Sequence, residues 1–296
     1  MVYPVGVVAA LCLAVGYVLQ QRAAMTAPLA DVLHWRLLLD LLRRPAWLAG
    51  IAAMAAGEVL AAWALSLAGV AEVEPLLSMN LVFAFVVAAV LGRQRVRAPE
   101  IVGAVLVSAA LGGFIVSGDP RPSAVPESPR WLIVVALVVT GVVVLGLVAF
   151  ARRSGQRVEA LLLSAGAGIL LGLQDAATRQ ALVGPTWTRV FHTPWSIVVL
   201  VAAVTSLLLL QSAFRAAPLA WSLPPMVAAE PIAGVALGVS LLGDRTDADA
   251  VSLLCQSLCV LGMVGGVVLV ARSGAIGSLR PHHRRPASER PAERAG

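Results

Sequence analysis

The sequence predicts an all-α, polytopic membrane protein with about nine transmembrane helices in two inverted repeats. Of its 296 residues, 59% are hydrophobic and only 13% are charged, whereas a soluble domain has about 25% charged residues. Long apolar stretches hold most of this hydrophobicity, and ordered internal matches between them indicate the repeats. Too little polar chain remains outside these stretches for a soluble catalytic domain.

Nine apolar stretches have the length of about 20 residues that a helix needs to cross a hydrocarbon core. They cover residues 2–20, 46–69, 72–92, 99–117, 130–150, 159–180, 195–215, 218–242 and 248–271. The segment 29–43 is short and carries Asp31, His34, Arg36 and Asp40. It is therefore predicted to be an amphipathic in-plane helix in which Arg36 pairs with Asp40. If it crosses instead, the protein has ten spans.

Arginine placement predicts the topology. All 22 basic residues are Arg, and alternating the nine spans puts 17 of them on one side and five on the other. The side with more arginines is predicted to be cytoplasmic, which places the N-terminus outside and the C-terminus inside a multi-pass protein of the cell membrane. Six of these arginines lie in the tail 272–296, which is predicted to be disordered and attracted to anionic lipid rather than to nucleic acid.

Internal matches divide the chain into two halves. Residues 47–66 match 195–214, the stretch around Asn80 matches that around Glu230, and 112–117 match 265–270. We interpret residues 1–118 as the first repeat, 119–158 as a linker that contains the fifth span, and 159–271 as the second repeat. Five spans separate the starts of the two halves, and an odd number inverts the second half relative to the first.

Glycine and proline patterns predict helix packing and interruptions. Pairs of glycines four residues apart allow close approach of helices in lipid; they are Gly168 and Gly172, Gly234 and Gly238, and Gly262 and Gly266. Prolines remove backbone donors and free carbonyls within a span. The predicted hinges are Pro224, Pro225 and Pro231 in the eighth span and, more mildly, Pro75 in the third.

Two glutamates are the main candidates for function. Glu58 and Glu230 each lie twelve residues into a span, near the membrane middle, where a carboxylate needs a polar cavity, a partner or a proton. We interpret both as substrate or proton contacts; the alternative is a neutral Glu bonded to a freed carbonyl. Other residues that could line a polar pathway are Asn80, Ser78, Ser206 and Gln211.

Further charged residues lie near the outer ends of the spans. Asp175 and Arg179, one helical turn apart, form either a neutralising pair or a gate. Glu72 and Glu74 form either a cation-concentrating vestibule or an ordinary acidic helix start. The spans contain no pattern typical of an enzyme active site, so neither catalytic residues nor a cofactor are expected.

The order of short motifs resembles a known transporter superfamily. The first half contains an amphipathic segment followed by Trp47, Gly57-Glu58, Ala64, Pro75-Leu76, Leu91-Gly92, Gly103, Gly112 and Ser117-Gly118-Asp119-Pro120. The second half contains Glu230-Pro231 followed by Leu242-Gly243-Asp244. Over residues 1–274 this order is similar to the drug/metabolite transporter superfamily (EamA-like), particularly its NIPA-type branch. The resemblance implies export of amino acids, metabolites or drugs for the superfamily, and transport of magnesium or other divalent cations for the branch.

The sequence therefore predicts a secondary transporter that moves a small metabolite or ion by alternating access. Because the chain has no Lys, it lacks a Walker-type phosphate loop, and a gradient would supply the energy. One alternative is a Mg²⁺ or other divalent-cation carrier with Glu58 and Glu230 as ligands. Another is a non-transporting membrane scaffold. The expected partners are the lipid bilayer, the small-molecule or ion substrate and, in a homodimer, a second copy of the chain.

Overall fold

The computed structural model describes residues 1–27, 32–67, 70–92, 97–118, 129–182, 193–243 and 249–277. These residues form twelve α-helices and one π-helical turn, and they contain no β-strand. In chain order the elements are α1 (Val2–Met25), α2 (Trp35–Leu42), α3 (Pro45–Leu67), α4 (Val70–Leu77), α5 (Asn80–Gly92), α6 (Ala98–Gly118), α7 (Arg130–Ala151), α8 (Gln156–Leu182), α9 (Trp195–Ala216), α10 (Leu219–Ser222), α11 (Pro224–Leu237), the π-helical turn Gly238–Leu242 and α12 (Ala250–Gly277).

Eight stretches of the described chain are helical, long and apolar enough to cross a membrane, and a ninth apolar stretch, Pro75–Leu91, is shorter. Together they coincide with the nine predicted spans to within a few residues at most ends. The chain is therefore an all-α protein whose helices have the length and composition of membrane spans. The predicted tail 272–296 and linker 119–158 fall partly outside the described residues, at 278–296 and 119–128. The prediction of disorder is wrong for residues 272–277, because α12 continues to Gly277.

The third predicted span is two helices instead of one. Pro75 lies inside α4, and the chain leaves helical geometry at Ser78 and Met79 before α5 begins. The break leaves backbone carbonyls without their helical partners. The hydroxyl of Ser108 on α6 satisfies one of them by donating to the Ser78 carbonyl at 2.6 Å, and the Ser78 hydroxyl donates to the Ser108 carbonyl at 3.2 Å.

The eighth span is interrupted near its predicted hinges. The short helix α10 ends at Ser222, α11 starts with Pro224 and Pro225, and Pro231 lies inside α11. The Ser222 carbonyl accepts a hydrogen bond from the Ser164 hydroxyl on α8. Thus each broken span uses a serine from a neighbouring helix to satisfy a carbonyl at its break.

The segment after α1 lies alongside the bundle. Its helix α2 has eight residues and is about 12 Å long, too short to cross a membrane, and it buries Leu37 and Leu41. The predicted pairing of Arg36 with Asp40 is wrong. Asp40 pairs with Arg44 at 2.5 Å, and Arg44, which follows the end of α2, also donates to the Ala23 carbonyl at 3.3 Å.

Close helix contacts occur at two of the predicted glycine pairs. A Cβ added to Gly172 on α8 would lie 2.6 Å from both the Glu230 carbonyl oxygen and the Gly234 backbone nitrogen of α11. On α12, a Cβ at Gly266 would lie 2.8 Å from the Gly103 carbonyl oxygen of α6. The packing role predicted for these glycines is confirmed, and it explains how α8 meets α11 and how α12 meets α6.

The helix α7 packs loosely. It contacts mainly α8 and the π-helical turn, and most of its side chains are exposed. An apolar groove of about 520 Å³ runs between α7, α8 and α11, with Val139, Ile169, Ile232 and Ala236 among its lining residues. One face of α11 therefore borders this groove.

Candidate functional site

The other face of α11 borders a polar cavity of about 680 Å³ inside the bundle. Residues of α1, α3, α4, α5, α6, α8 and α11 line it. The lining residues lie between the middle of the bundle and the end at which α3, α6 and α8 finish. We call this end of the bundle the cavity end. The opposite end, where α1 finishes and α3 begins, we call the sealed end.

Three carboxylates from three helices meet in this cavity. Glu58 of α3, Asp175 of α8 and Glu230 of α11 all line it. Glu58 and Asp175 are exposed and Glu230 is half-buried, so all three acidic groups reach open space. Asp175 lies within electrostatic range of Glu58.

The buried phenol of Tyr17 belongs to the same site. Tyr17 lines the cavity from α1 and interacts electrostatically with both Glu230 and Glu58. The sequence analysis missed it, although a tyrosine deep in an apolar span is a usable signal because its hydroxyl needs a polar neighbour. Gln174, next to Asp175, was also missed as a lining residue.

Two predicted polar residues at the break between α4 and α5 join the lining. Ser78 and Asn80 both border the cavity. Ser78 is committed to the bonds that close the break, but the buried Asn80 Oδ1 atom has no hydrogen-bond partner among the described residues. Asn80 therefore borders the cavity and holds a buried acceptor without a partner in the described part of the chain.

The prediction that Gln211 and Ser206 line the same cavity is wrong. Both residues are buried in α9. The Ser206 hydroxyl bonds to the Ala203 carbonyl of its own helix, and the Gln211 Nε2 atom donates to Gln20 Oε1 of α1 at 2.5 Å. Apolar neighbours on α9 left the sequence without a signal for which face these side chains take.

The bond between Gln20 and Gln211 is one of several that close the sealed end. The Leu33 backbone nitrogen donates to the Ser212 hydroxyl at 2.9 Å, and the Arg215 Nε atom donates to the Ala27 carbonyl. The segment after α1 is thereby fastened to α9. Polar contacts between the first and second halves of the chain thus lie directly beyond the cavity.

Of the remaining charged candidates, one lies in the cavity lining and the others do not or are not described. Asp175 lines the cavity, whereas Arg179, one turn further along α8, is not among its lining residues. The side chains of Glu72 and Glu74 lie outside the described part of the structure, and the vestibule predicted for them remains a prediction. Of the predicted hinges, Pro231 borders the cavity and Pro75, Pro224 and Pro225 lie at or near the two breaks.

This arrangement can hold positive charge. Carboxylates on three walls attract a cation or exchange protons, and the described lining contains neither Arg nor His. The described residues contain no group of three or more His, Cys, Asp or Glu side chains placed to hold a metal ion. The site therefore spreads its negative charge over a cavity.

Sequence comparison finds a relative of similar length but no described activity. An uncharacterised protein of Corynebacterium glutamicum is 28% identical over 272 residues, which cover 90% of this chain and 93% of that protein. No protein-family model matches the chain, and no solved structure matches it. Fold and site together define an all-α, polytopic membrane protein with an acidic cavity between its helices.

Proposed function

We propose that the protein is a secondary transporter that moves a small metabolite or ion by alternating access, in the manner of the drug/metabolite transporter superfamily. The observation that carries this proposal is the cavity in which Glu58, Asp175 and Glu230 meet. Acidic groups within membrane spans mark substrate or ion pathways because they are expensive to keep in lipid. A cavity with one sealed end is also the form expected of one state of such a cycle.

The helix packing supports the two-repeat part of the proposal. In the first half α1 packs closely against α3, and in the second half α8 packs closely against α9, as two halves of similar sequence would. Both halves also contain one broken span next to the cavity. The arginine distribution supports an N-terminus outside the cell membrane. In that orientation the cavity end faces outward and the sealed end faces the cytoplasm.

The alternatives have less support. A scaffold has no need of carboxylates that reach open space inside its bundle. A divalent-cation carrier requires Glu58 and Glu230 to hold a largely hydrated ion, because the described residues offer no group of three or more protein ligands for a metal. Competition by excess Mg²⁺ distinguishes this carrier from a metabolite transporter.

Water access to the cavity tests the proposal directly. Ala62 lines the cavity and is exposed, so Ala62→Cys, in a protein whose Cys12, Cys255 and Cys259 are replaced by Ser, should react with a membrane-impermeant thiol reagent. Val59 is 69% exposed but is not part of the cavity lining. In a membrane Val59→Cys should face lipid and stay unmodified. An unreactive Ala62→Cys would refute the water-filled pathway.

Flux measurements test the glutamates. Metabolite profiling of cells with and without the protein identifies a transported compound, and proteoliposomes then measure its flux. We expect Glu58→Gln combined with Glu230→Gln to reduce the flux by at least tenfold, since both charges that contact the substrate are removed. Glu159→Gln, on α8 but outside the cavity lining, is the matched control and should keep the flux. Undiminished transport in the double variant would remove both glutamates from the mechanism.

A further inference from the structure

The cavity lining combines negative charge with large apolar surfaces. Its three carboxylates stand among aliphatic side chains from five helices, which include Leu13, Leu77, Leu111, Ile115, Leu171 and Val227. A site for a small hydrated ion would be lined mainly by oxygen atoms. Aliphatic walls instead stabilise an apolar body by removing its surface from water.

The positions of the charges also favour an extended ligand. Glu58, Asp175 and Glu230 belong to three helices, and the described residues contain no group of three or more acidic, His or Cys side chains placed to hold a metal ion. A ligand that neutralises more than one of them must therefore either carry its charge on a large group or span part of the cavity. At about 680 Å³, the cavity falls within the range of about 300–1,000 Å³ typical of sites for drug-sized molecules.

The aromatic ring of Tyr17 is the third feature of the lining that bears on the chemistry of the ligand. Tyr17 lines the same cavity as Glu58 and Glu230, and an aromatic face attracts an organic cation through its quadrupole. An organic cation can meet a carboxylate, an aromatic face and an aliphatic wall at once. A strongly hydrated metal ion gains little from the last two.

We propose that the substrate is an amphipathic organic cation, a positively charged nitrogen- or phosphorus-centred group on an apolar body. Its charged centre lies between Glu58, Glu230 and Tyr17, and its body lies against the aliphatic wall. This inference rests on the proposed function only for the location of the site. It narrows the substrate from any small metabolite or ion to one chemical class.

Equilibrium dialysis of the full chain in lipid nanodiscs tests this class with two probes of the same shape. Radiolabelled tetraphenylphosphonium should bind saturably, above the background of empty nanodiscs. Tetraphenylborate, an anion of nearly the same size and surface, should not bind above that background when it is measured separately. Excess Mg²⁺ should leave the binding of tetraphenylphosphonium unchanged.

Variants assign the binding to the cavity. Glu58→Gln and Glu230→Gln should each weaken tetraphenylphosphonium binding by about tenfold, because an opposing charge is lost from a partly buried site. Glu58→Asp keeps the charge and should retain most of the affinity, which separates a lost charge from a misfolded protein. Glu159→Gln, remote from the cavity on α8, should bind as the unmodified protein does.

Several outcomes would overturn the inference. They are absence of saturable cation binding, equal binding of the anion, displacement by Mg²⁺, and undiminished binding in both glutamine variants. Labelling of Ala62→Cys distinguishes a wrong substrate class from a wrong proposed function. If the cysteine reacts but tetraphenylphosphonium does not bind, the substrate class is wrong and the water-filled pathway stands. If the cysteine does not react, the pathway itself is wrong.

Discussion

Serine residues at the broken helices show what an interruption inside a membrane requires. The Ser78 and Ser222 carbonyls each receive a hydroxyl from a neighbouring helix, Ser108 on α6 and Ser164 on α8. An unsatisfied carbonyl in this setting would be costly because lipid offers no donor. These serines therefore allow the breaks to persist beside the cavity.

Removal of one such hydroxyl should destabilise the protein. Ser108→Ala removes the short bond to the Ser78 carbonyl and leaves it only the 3.4 Å bond from the Leu81 backbone nitrogen, so we expect the free energy of unfolding to fall by about 1 kcal/mol. Thermal unfolding in detergent measures the change. Ser257→Ala is the control, because Ser257 is exposed and its hydroxyl bonds only to the Leu253 carbonyl of its own helix. Equal stability of the two variants would contradict this role.

Individual residues show which parts of the candidate site could be predicted from the sequence. Glu58 and Glu230 were predicted to lie near the membrane middle from their depth in apolar spans, and the structure brings both to one cavity. Gln211 was predicted to line the cavity, but the direction of its side chain depends on how α9 is rotated about its own axis. The mostly apolar residues around Gln211 do not specify that rotation. Candidate residues can thus be selected from the sequence as charges within apolar spans, whereas the direction of a side chain can be predicted only for a helix with a distinct polar side.

At the scale of helices, the composition and length of the apolar stretches were enough to predict most helix boundaries. Long apolar stretches with few charges leave little choice but a helix in a membrane, and eight helices follow the predicted spans closely. The division into α4 and α5 was underestimated because Pro75 by itself indicates only a kink. The break needs the additional bonds between Ser78 and Ser108, and these depend on a helix that lies 30 residues further along the chain.

Helix packing gives a matched pair of glycine substitutions. In Gly172→Ala the new methyl group would collide with the backbone of α11, and we expect a loss of about 1–3 kcal/mol in stability. In Gly141→Ala on α7 the methyl group meets nothing within 4 Å, so the better helix propensity should add about 0.5–1 kcal/mol. Thermal unfolding of both variants checks the opposite signs. A stable Gly172→Ala protein would show that α8 and α11 separate easily.

At the scale of the whole molecule, the cavity and the seal divide the bundle into two ends. The seal includes bonds from α1 and its following segment to α9, which link the first half of the chain to the second. Alternating access requires such links to break and re-form. The sequence could not predict this asymmetry, because the side-chain bonds of the sealed end join residues that lie far apart in the chain.

The seal can be weakened by a single substitution. Gln211→Leu removes the bond to Gln20, and we expect the sealed end to open more often. Labelling of Ala62→Cys by an impermeant reagent applied from the sealed end should then become several-fold faster. Ser206→Ala, on the same helix but bonded to its own backbone, should not change the rate. Unchanged labelling in Gln211→Leu would show that the other contacts hold the seal without this bond.

The helix α11 has a further consequence for the protein in its bilayer. It presents Glu230 to the acidic cavity and, on its opposite face, Ile232 and Ala236 to the apolar groove beside α7. A partition one helix thick, about 10 Å, thus separates the carboxylate from the apolar groove. Because Pro231 lies within this partition, the cavity wall on this side is a single proline-containing helix, and any apolar chain that enters the groove packs against the outer face of that wall.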